Sequence, residues 1–533
     1  MLPSISRRKF LEAGFVAGSV IYMPSVLKAA PAKGGTLVVA QFPEPTILTT
    51  APAPSGPTNN IAPKVFDGLF TYDFDFTLKP QLATALDVSP DGLTITVRLR
   101  DGVKWHDGKP FTAADVNFTL TEIWKKLNSR GQPIYANVTA TEAPDPLTAI
   151  WRLSKPAPYI RFALASHLSQ IVPKHLYEGT DIARNPANLK PIGTGPFKFV
   201  EWQQGEYLTL ERNPDYWDAG KPHLDKIIYR FIPDASARAA ALEAGEVHLV
   251  AETGVPGIDL ARFAKDPRFT IETRGYNYIG PMNFFLFNLE RKPFDDVRVR
   301  RAFAHAIDRQ FLIENIWFGY GKKATGPIPE GMSEFYTPKV DDYAFDPERA
   351  KALLDEAGLK PDVDGIRLSI SHDYVPYGDQ FLRTAEYIRD ALGKIGVKVT
   401  VRTQDNATYV KRIYTSRDFD TANYLISVGP DPAIGTQRLY WSKSFAPGVA
   451  FSNGARYENP EVDALLEAAQ VEIDPAKRRE LYHRFQAITQ VDLPQIPLVA
   501  IDQITLTSSR LKDTTTVSEG PKASFVDAYL DKA

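Results

Sequence analysis

Residues 366–402 constrain the fold more than any other stretch of the chain. Residues 366–371 read as a strand, 379–395 as a helix and 397–402 as a second strand, the pattern of a βαβ unit. Strands joined through a helix pair in parallel and need cover on both faces, which places the chain in the α/β class. A further strand over 422–427 ends at Val428-Gly429-Pro430-Asp431-Pro432. Ligands of open α/β sheets bind outside the carboxyl ends of strands, so the loops 372–378 and 428–432 become the candidate site. His372, Tyr374 and Tyr377 there offer stacking and hydrogen bonding to a small molecule. Asp431 reads either as a ligand contact or as an Asp-Pro turn former, and Trp441 either as a ligand platform or as core.

The same reading places a strand over 35–41, closed by Phe42-Pro43-Glu44-Pro45, where Glu44 joins the candidates. Residues 94–99 alternate polar and apolar side chains between turn signals and predict a hairpin meander. Helices are expected over 112–126, with Thr112 and Asp115 as a capping box, and over 234–244 and 346–357. A chain of 533 residues without a Gly/Ser linker exceeds one core, so at least two continuous or interleaved lobes are required.

Composition narrows the chemistry. Lys plus Arg (62) nearly balances Asp plus Glu (64), which removes the electrostatic case for nucleic acid. There is no cysteine, hence no disulfide, thiolate nucleophile or Cys-ligated metal, and none of the eight histidines pairs with another at ligand spacing. GxSxG, HExxH, Walker and GxGxxG motifs are missing. The acid pairs Asp295-Asp296 and Asp341-Asp342 read as solvated caps, and His106 as a structural histidine. The expectation is a binding protein with no catalysis and no cofactor. At the N-terminus, Arg7-Arg8, the short apolar run 13–23 and small residues to 32 form a cleavable twin-arginine export leader. The run is too short to span a bilayer, and the cleavage zone lacks the cysteine a lipid anchor needs.

Ordered blocks along the chain carry a resemblance. They are Val65-Phe66-Asp67-Gly68-Leu69-Phe70, Trp105-His106-Asp107-Gly108-Lys109-Pro110-Phe111, Gly193-Thr194-Gly195-Pro196-Phe197, Arg212-Asn213-Pro214-Asp215-Tyr216-Trp217, Lys292-Pro293-Phe294-Asp295-Asp296-Val297-Arg298 and Ala306-Ile307-Asp308-Arg309. Together they resemble the periplasmic solute-binding proteins of peptide-type ABC importers, family 5. The resemblance implies a two-lobe periplasmic-binding-protein clamp (type II-like) with an extra inserted domain. Domain I takes 33–64, 191–278 and 495–533, domain II 65–190 and domain III 279–494. Crossings between lobes are expected at 193–196 and 276–283.

The implied function is capture of an oligopeptide or peptide-like solute in the periplasm and delivery to an ABC permease, by a monomer. A non-peptide solute (an opine, sugar conjugate or metal chelate) is the alternative, with a secreted hydrolase further off. In dipeptide-binding members an Arg holds the peptide carboxylate and an Asp the amino group; local alignment puts His372 and Val428 at those positions. A valine cannot pair with an ammonium, and an unpaired buried charge costs several kcal/mol, so a simple dipeptide is disfavoured.

Overall fold

The computed structural model describes residues 31–531, so Arg7 and Arg8 of the expected leader lie outside the described residues. Two large mixed sheets organise the molecule. The seven-stranded sheet draws on three separated stretches of chain. Thr36–Gln41 lies inside it, parallel to both Lys226–Phe231 and Leu249–Val250. Phe197–Gln203 and Tyr207–Arg212 extend one side, and Thr505–Ser508 and Phe269–Glu272 the other. The six-stranded sheet contains the expected βαβ unit: Leu368–Tyr374 runs parallel to Val397–Arg402, with helix Asp379–Gly393 between them in the chain. Its strand Pro281–Phe287 sits between Thr421–Ser427 and Gln495–Ile501, and all seven of its residues are buried, as an interior strand covered on both faces requires. Phe285, Phe287, Phe294 and Phe303 pack there with ring centroids 4.9–6.1 Å apart.

Between Thr36–Gln41 and the rest of the first sheet the chain inserts an antiparallel four-stranded sheet; the expected hairpin 83–99 is there, but it does not continue as a meander, because Thr94–Leu99 pairs next with Thr148–Leu153. The sheet order is Ala83–Val88, Thr94–Leu99, Thr148–Leu153, Val138–Asp145. Its core holds Trp124 stacked on Tyr135 at 5.0 Å and Trp151 edge-on to Tyr135 at 6.1 Å.

Local signals set the helix starts. Thr112 and Asp115 form the capping box of Ala113–Phe118, which continues as a π-helical stretch, Thr119–Trp124. Asp234 accepts the Ala237 amide at 2.7 Å and Asp346 the Arg349 amide at 2.9 Å.

Three further expectations need correction. The strand expected over 366–371 runs instead from Leu368 to Tyr374, because its far end pairs with both Val397–Arg402 and Thr421–Ser427. Gln495–Ile501, grouped by a boundary at 495 with the first lobe, hydrogen-bonds along Pro281–Phe287 in the second. The stretch 193–196 is not a crossing between lobes. It seats the inserted unit on the first sheet, where the Gly195 amide donates to Val65 O at 2.8 Å and His106 Nε2 meets Gly195 O at 2.9 Å. The chain passes between the two large sheets at 273–280 and at 502–504. These crossings are knitted side by side: Tyr276 Oη lies 2.8 Å from Thr505 Oγ1, and the Thr253 amide donates to Ile504 O at 2.9 Å.

Candidate functional site

The two lobes meet across the inserted unit. Arg161 pairs with Glu334 at 3.2 Å, Phe162 packs edge-on against Phe335 at 6.4 Å, and Tyr278 on the crossing donates to Phe162 O at 2.6 Å. The crossing 273–280 is contacted from both sides, by Phe162 of the inserted unit and by the Val428 loop of the second lobe.

On the first-lobe side, the loop after Thr36–Gln41 is tied to the inserted unit. Gln170 Oε1 accepts from the Thr49 hydroxyl and from the Thr50 and Ala51 amides, the last at 3.0 Å. Asn128 Nδ2 donates to the Thr50 and Ala51 carbonyls at 3.0 Å each. Asn128 Oδ1 meanwhile caps the Arg130 and Gly131 amides at 3.0 and 2.9 Å. Two buried side-chain nitrogens on the facing stretch, His167 Nδ1 and Gln170 Nε2, have no hydrogen-bond partner among the described residues. Such atoms occur elsewhere in the protein too, at Trp105, Tyr409 and Gln486 among others, so the two do not by themselves mark a site.

On the second-lobe side, the loop after Thr421–Ser427 is strapped to the crossing. The Val428 amide donates to Gly280 O at 3.1 Å and the Gly429 amide to Ile279 O at 3.0 Å. Asp431 is fully buried and holds Arg478 with both oxygens, at 2.6 and 2.8 Å, while Oδ1 also caps the Ala433 amide at 2.8 Å. Three of its roughly four acceptor sites are taken within the fold, so Asp431 builds the loop. Burial, assisted by the Asp431 charge, pushes the Tyr159 phenol of the inserted unit up to about 12.

The other predicted site residues divide between scaffold and cleft. His372 is fully buried, stacked on Phe285 at 5.2 Å, with Nδ1 2.9 Å from Thr421 Oγ1 and Nε2 3.0 Å from Asn423 Oδ1. The longer strand places it between two neighbours and not in the loop. Tyr374 is 5 % exposed and donates to Thr403 Oγ1 at 3.2 Å, again inside the sheet. Val428 is wholly buried. Glu44 takes the Trp202 indole N–H at 2.8 Å and the Gly205 amide at 3.0 Å, anchoring the turn of an outer hairpin. Trp441 donates to Glu467 at 3.0 Å and serves the packing of helix Pro460–Val471. Tyr377 alone keeps a large exposed face, at 48 %, with Phe451 6.4 Å away. Phe451 in turn approaches Tyr414 at 5.9 Å and Tyr424 at 6.3 Å, an aromatic group on the second lobe. Asn128, His167 and Gln170 carry no sequence signature that separates them from ordinary polar loop residues.

Burial drags the His372 imidazole to about 4. Between about pH 6.5 and 4 the unfolded histidine binds a proton that the folded one rejects, so this contribution is complete above 6.5 and disappears as pH falls. Asp67 and Glu519, both pushed to about 7 by burial, act in the opposite sense and cancel when variants are compared. The stability advantage of the wild type over His372→Gln therefore shrinks from pH 7 to pH 4, by on the order of 3 kcal/mol. Urea unfolding at the two pH values measures it; an unchanged difference would refute the neutral buried histidine.

Comparison with known proteins decides what kind of cleft this is. The family described as bacterial extracellular solute-binding proteins, family 5 middle, matches residues 77–447. This chain belongs to that family. The glutathione-binding protein GsiB of Salmonella paratyphi A is 30 % identical over 510 residues, covering 94 % of this chain and 95 % of that one. The ABC transporter substrate-binding protein CtaP of Listeria monocytogenes superposes with a TM-score of 0.81 at 29 % identity, covering 94 % of this chain and 100 % of CtaP. The oligopeptide-binding protein AppA of Bacillus subtilis, in complex with a nonapeptide, gives 0.78 at 27 % identity over 94 % and 100 %. The two-lobe α/β clamp is thus the fold of this solute-binding protein. Among the described residues no helix is long and apolar enough to cross a membrane, and no group of three metal-ligating side chains comes together.

Proposed function

We propose that this protein is the solute-capturing component of a peptide-type ABC importer. It takes an oligopeptide or peptide-like compound between its lobes in the periplasm, closes on it and presents the closed form to the membrane permease. The observation that carries this reading is that two lobes, each built on its own sheet and joined by crossings at 273–280 and 502–504, meet through Arg161–Glu334 and Phe162–Phe335. Contacts to both lobes stabilise the closed arrangement selectively, which is how a ligand drives hinge closure. The near full-length match to a glutathione-binding protein and the likeness to an oligopeptide-binding protein support a peptide-like solute.

Export by the twin-arginine leader, a monomeric state and the absence of catalysis complete the proposal. Domain I is organised by the seven-stranded sheet, domain II by the four-stranded sheet and domain III by the six-stranded sheet, with 495–501 reassigned to the last. A simple dipeptide remains disfavoured, because Val428 cannot hold an ammonium and Asp431 is committed to Arg478. The test is closure of the purified protein on a solute that is recovered chemically intact; recovery of a product in its place would replace capture with catalysis.

A further inference from the structure

Away from the crossings, the second lobe meets the inserted unit along an apolar seam. On the second lobe the seam is formed by the loop between helices Pro460–Val471 and Pro475–Asp492, with Ile473 at its tip. On the inserted unit it is formed by the turn 89–93, the end of strand Ala83–Val88 and the stretch 156–158. The fit is close at one point. A Cβ on Gly92 would lie 2.9 Å from Pro156 Cβ and 3.1 Å from Ile473 Cγ2, so Ile473 rests on the bare backbone of the turn. Gly92 holds φ at +71°, and the turn therefore needs a glycine both for its conformation and for the space. Beside that point the fit is incomplete: a cavity of about 180 Å³ lies between Leu86, Val88 and Ile95 on one side and Ile473 and Pro475 on the other. Val88 and Ile473 stay 54 % and 48 % exposed.

Each face of the seam is fixed to its own lobe. On the second lobe, Arg479 of helix Pro475–Asp492 donates to Glu334 O at 3.0 Å, and Tyr482 packs edge-on against Phe335 at 5.2 Å. Glu334, Phe335 and Ile473 thus move with one helix. On the inserted unit, Tyr72 Oη donates to Arg161 O at 2.6 Å and accepts the Leu164 amide at 2.9 Å. The neighbouring Thr71 hydroxyl donates to Glu519 of the first lobe at 2.6 Å, which ties the inserted unit to that lobe. Rotation about the crossings 273–280 and 502–504 therefore parts this contact as a whole. The Arg161–Glu334 pair is partly exposed on both sides and contributes little, so the apolar contact at Ile473 carries the seam.

We propose that this seam is a closure latch: the inserted unit holds part of the solute-free population with its lobes together. The inference rests on the hinge closure of the solute-capture reading and gives the inserted unit a part in setting that equilibrium. Parting the lobes returns the apolar faces of Ile473, Val88 and the 89–93 turn to water, which costs free energy in proportion to the area exposed. The cavity limits that gain, because side chains facing a void forfeit their contacts on one side. The latch is therefore poised and not locked. A bound solute supplies the remainder, and its apparent affinity rises with the fraction of protein already closed.

The experiment is small-angle scattering on the full chain, refolded free of solute, for the wild type, Ile473→Ser, Val88→Phe and Val363→Ser. Ile473→Ser removes the apolar contact and should lower the ratio of closed to open protein about tenfold, seen as a larger radius of gyration. Val88→Phe fills the cavity from the opposite lobe and should shift the radius the other way. Val363, fully exposed on the second lobe and away from the seam, is the control and should scatter as the wild type. All three variants should melt within a few degrees of the wild type, since each replaces a side chain that is half exposed or more. Both seam variants scattering as the wild type overturns the latch. Equal expansion in Val363→Ser and Ile473→Ser also overturns it, because the effect is then not specific to the seam. No solute enters this measurement, so a failed latch leaves solute capture standing, and capture itself fails only if the loaded protein does not close.

Discussion

Asp431→Ala is expected to destabilise the second lobe by about 3–5 kcal/mol, the cost of leaving a buried charge without its partner. The substitution strips both acceptors from Arg478, which is 3 % exposed and cannot turn to solvent. Arg478 would keep only the Ala469 carbonyl at 2.8 Å and the Tyr482 hydroxyl at 3.3 Å. The Ala433 amide also loses its cap, so the loop that continues to Arg438 loosens. Urea unfolding measures the loss, and the double variant Asp431→Ala/Arg478→Met should recover much of it, because no charge is then stranded. A single variant as stable as the wild type would contradict the assignment of Asp431 to the scaffold. A ligand contact, by contrast, would lose affinity with little loss of stability.

Gly435→Ala should be comparably severe and should reach the ligand as well. A Cβ on Gly435 would lie 2.1 Å from the Val428 carbonyl oxygen and 2.3 Å from its carbonyl carbon, both backbone atoms that no rotamer change can move aside. Overpacking of this kind costs about 3 kcal/mol. The displaced segment is the one strapped to Gly280 and Ile279 on the crossing, so the cost falls on loop and hinge together. Solute affinity should drop at least about tenfold, since the loop and the aromatic group at Tyr414 and Tyr424 no longer share one geometry. Gly393→Ala, in a helix with open space around it, is the control and should be neutral or slightly stabilising. Denaturation and calorimetric titration of the two variants side by side measure both effects; wild-type affinity in Gly435→Ala would show that the loop does not touch the solute.

These two residues also show what a lone sequence reveals and what it conceals. The βαβ unit was legible because the period of its side chains and the caps of its helices are local properties, and the capping box at Thr112 and the N-cap at Asp346 lie where the residues place them. The loops at the strand ends were legible from topology alone. Which side chains face the cleft was not, because that depends on partners far along the chain. Three extra residues of strand carried His372 and Tyr374 into the sheet, since pairing with Thr421–Ser427 extends the hydrogen-bonded ladder. Asp431 was drawn away by Arg478, 47 residues later. Gln495–Ile501 is an apolar run equally able to join either sheet, and only its neighbour Pro281–Phe287 decides.

The measurement that tests the account most directly is small-angle scattering on the refolded, ligand-free protein and on protein loaded with the solute it releases after native purification. A clamp hinged at 273–280 and 502–504 predicts a smaller radius of gyration on loading, with the solute recovered unaltered. Identical scattering in both states, or a solute returned as a reaction product, would contradict it.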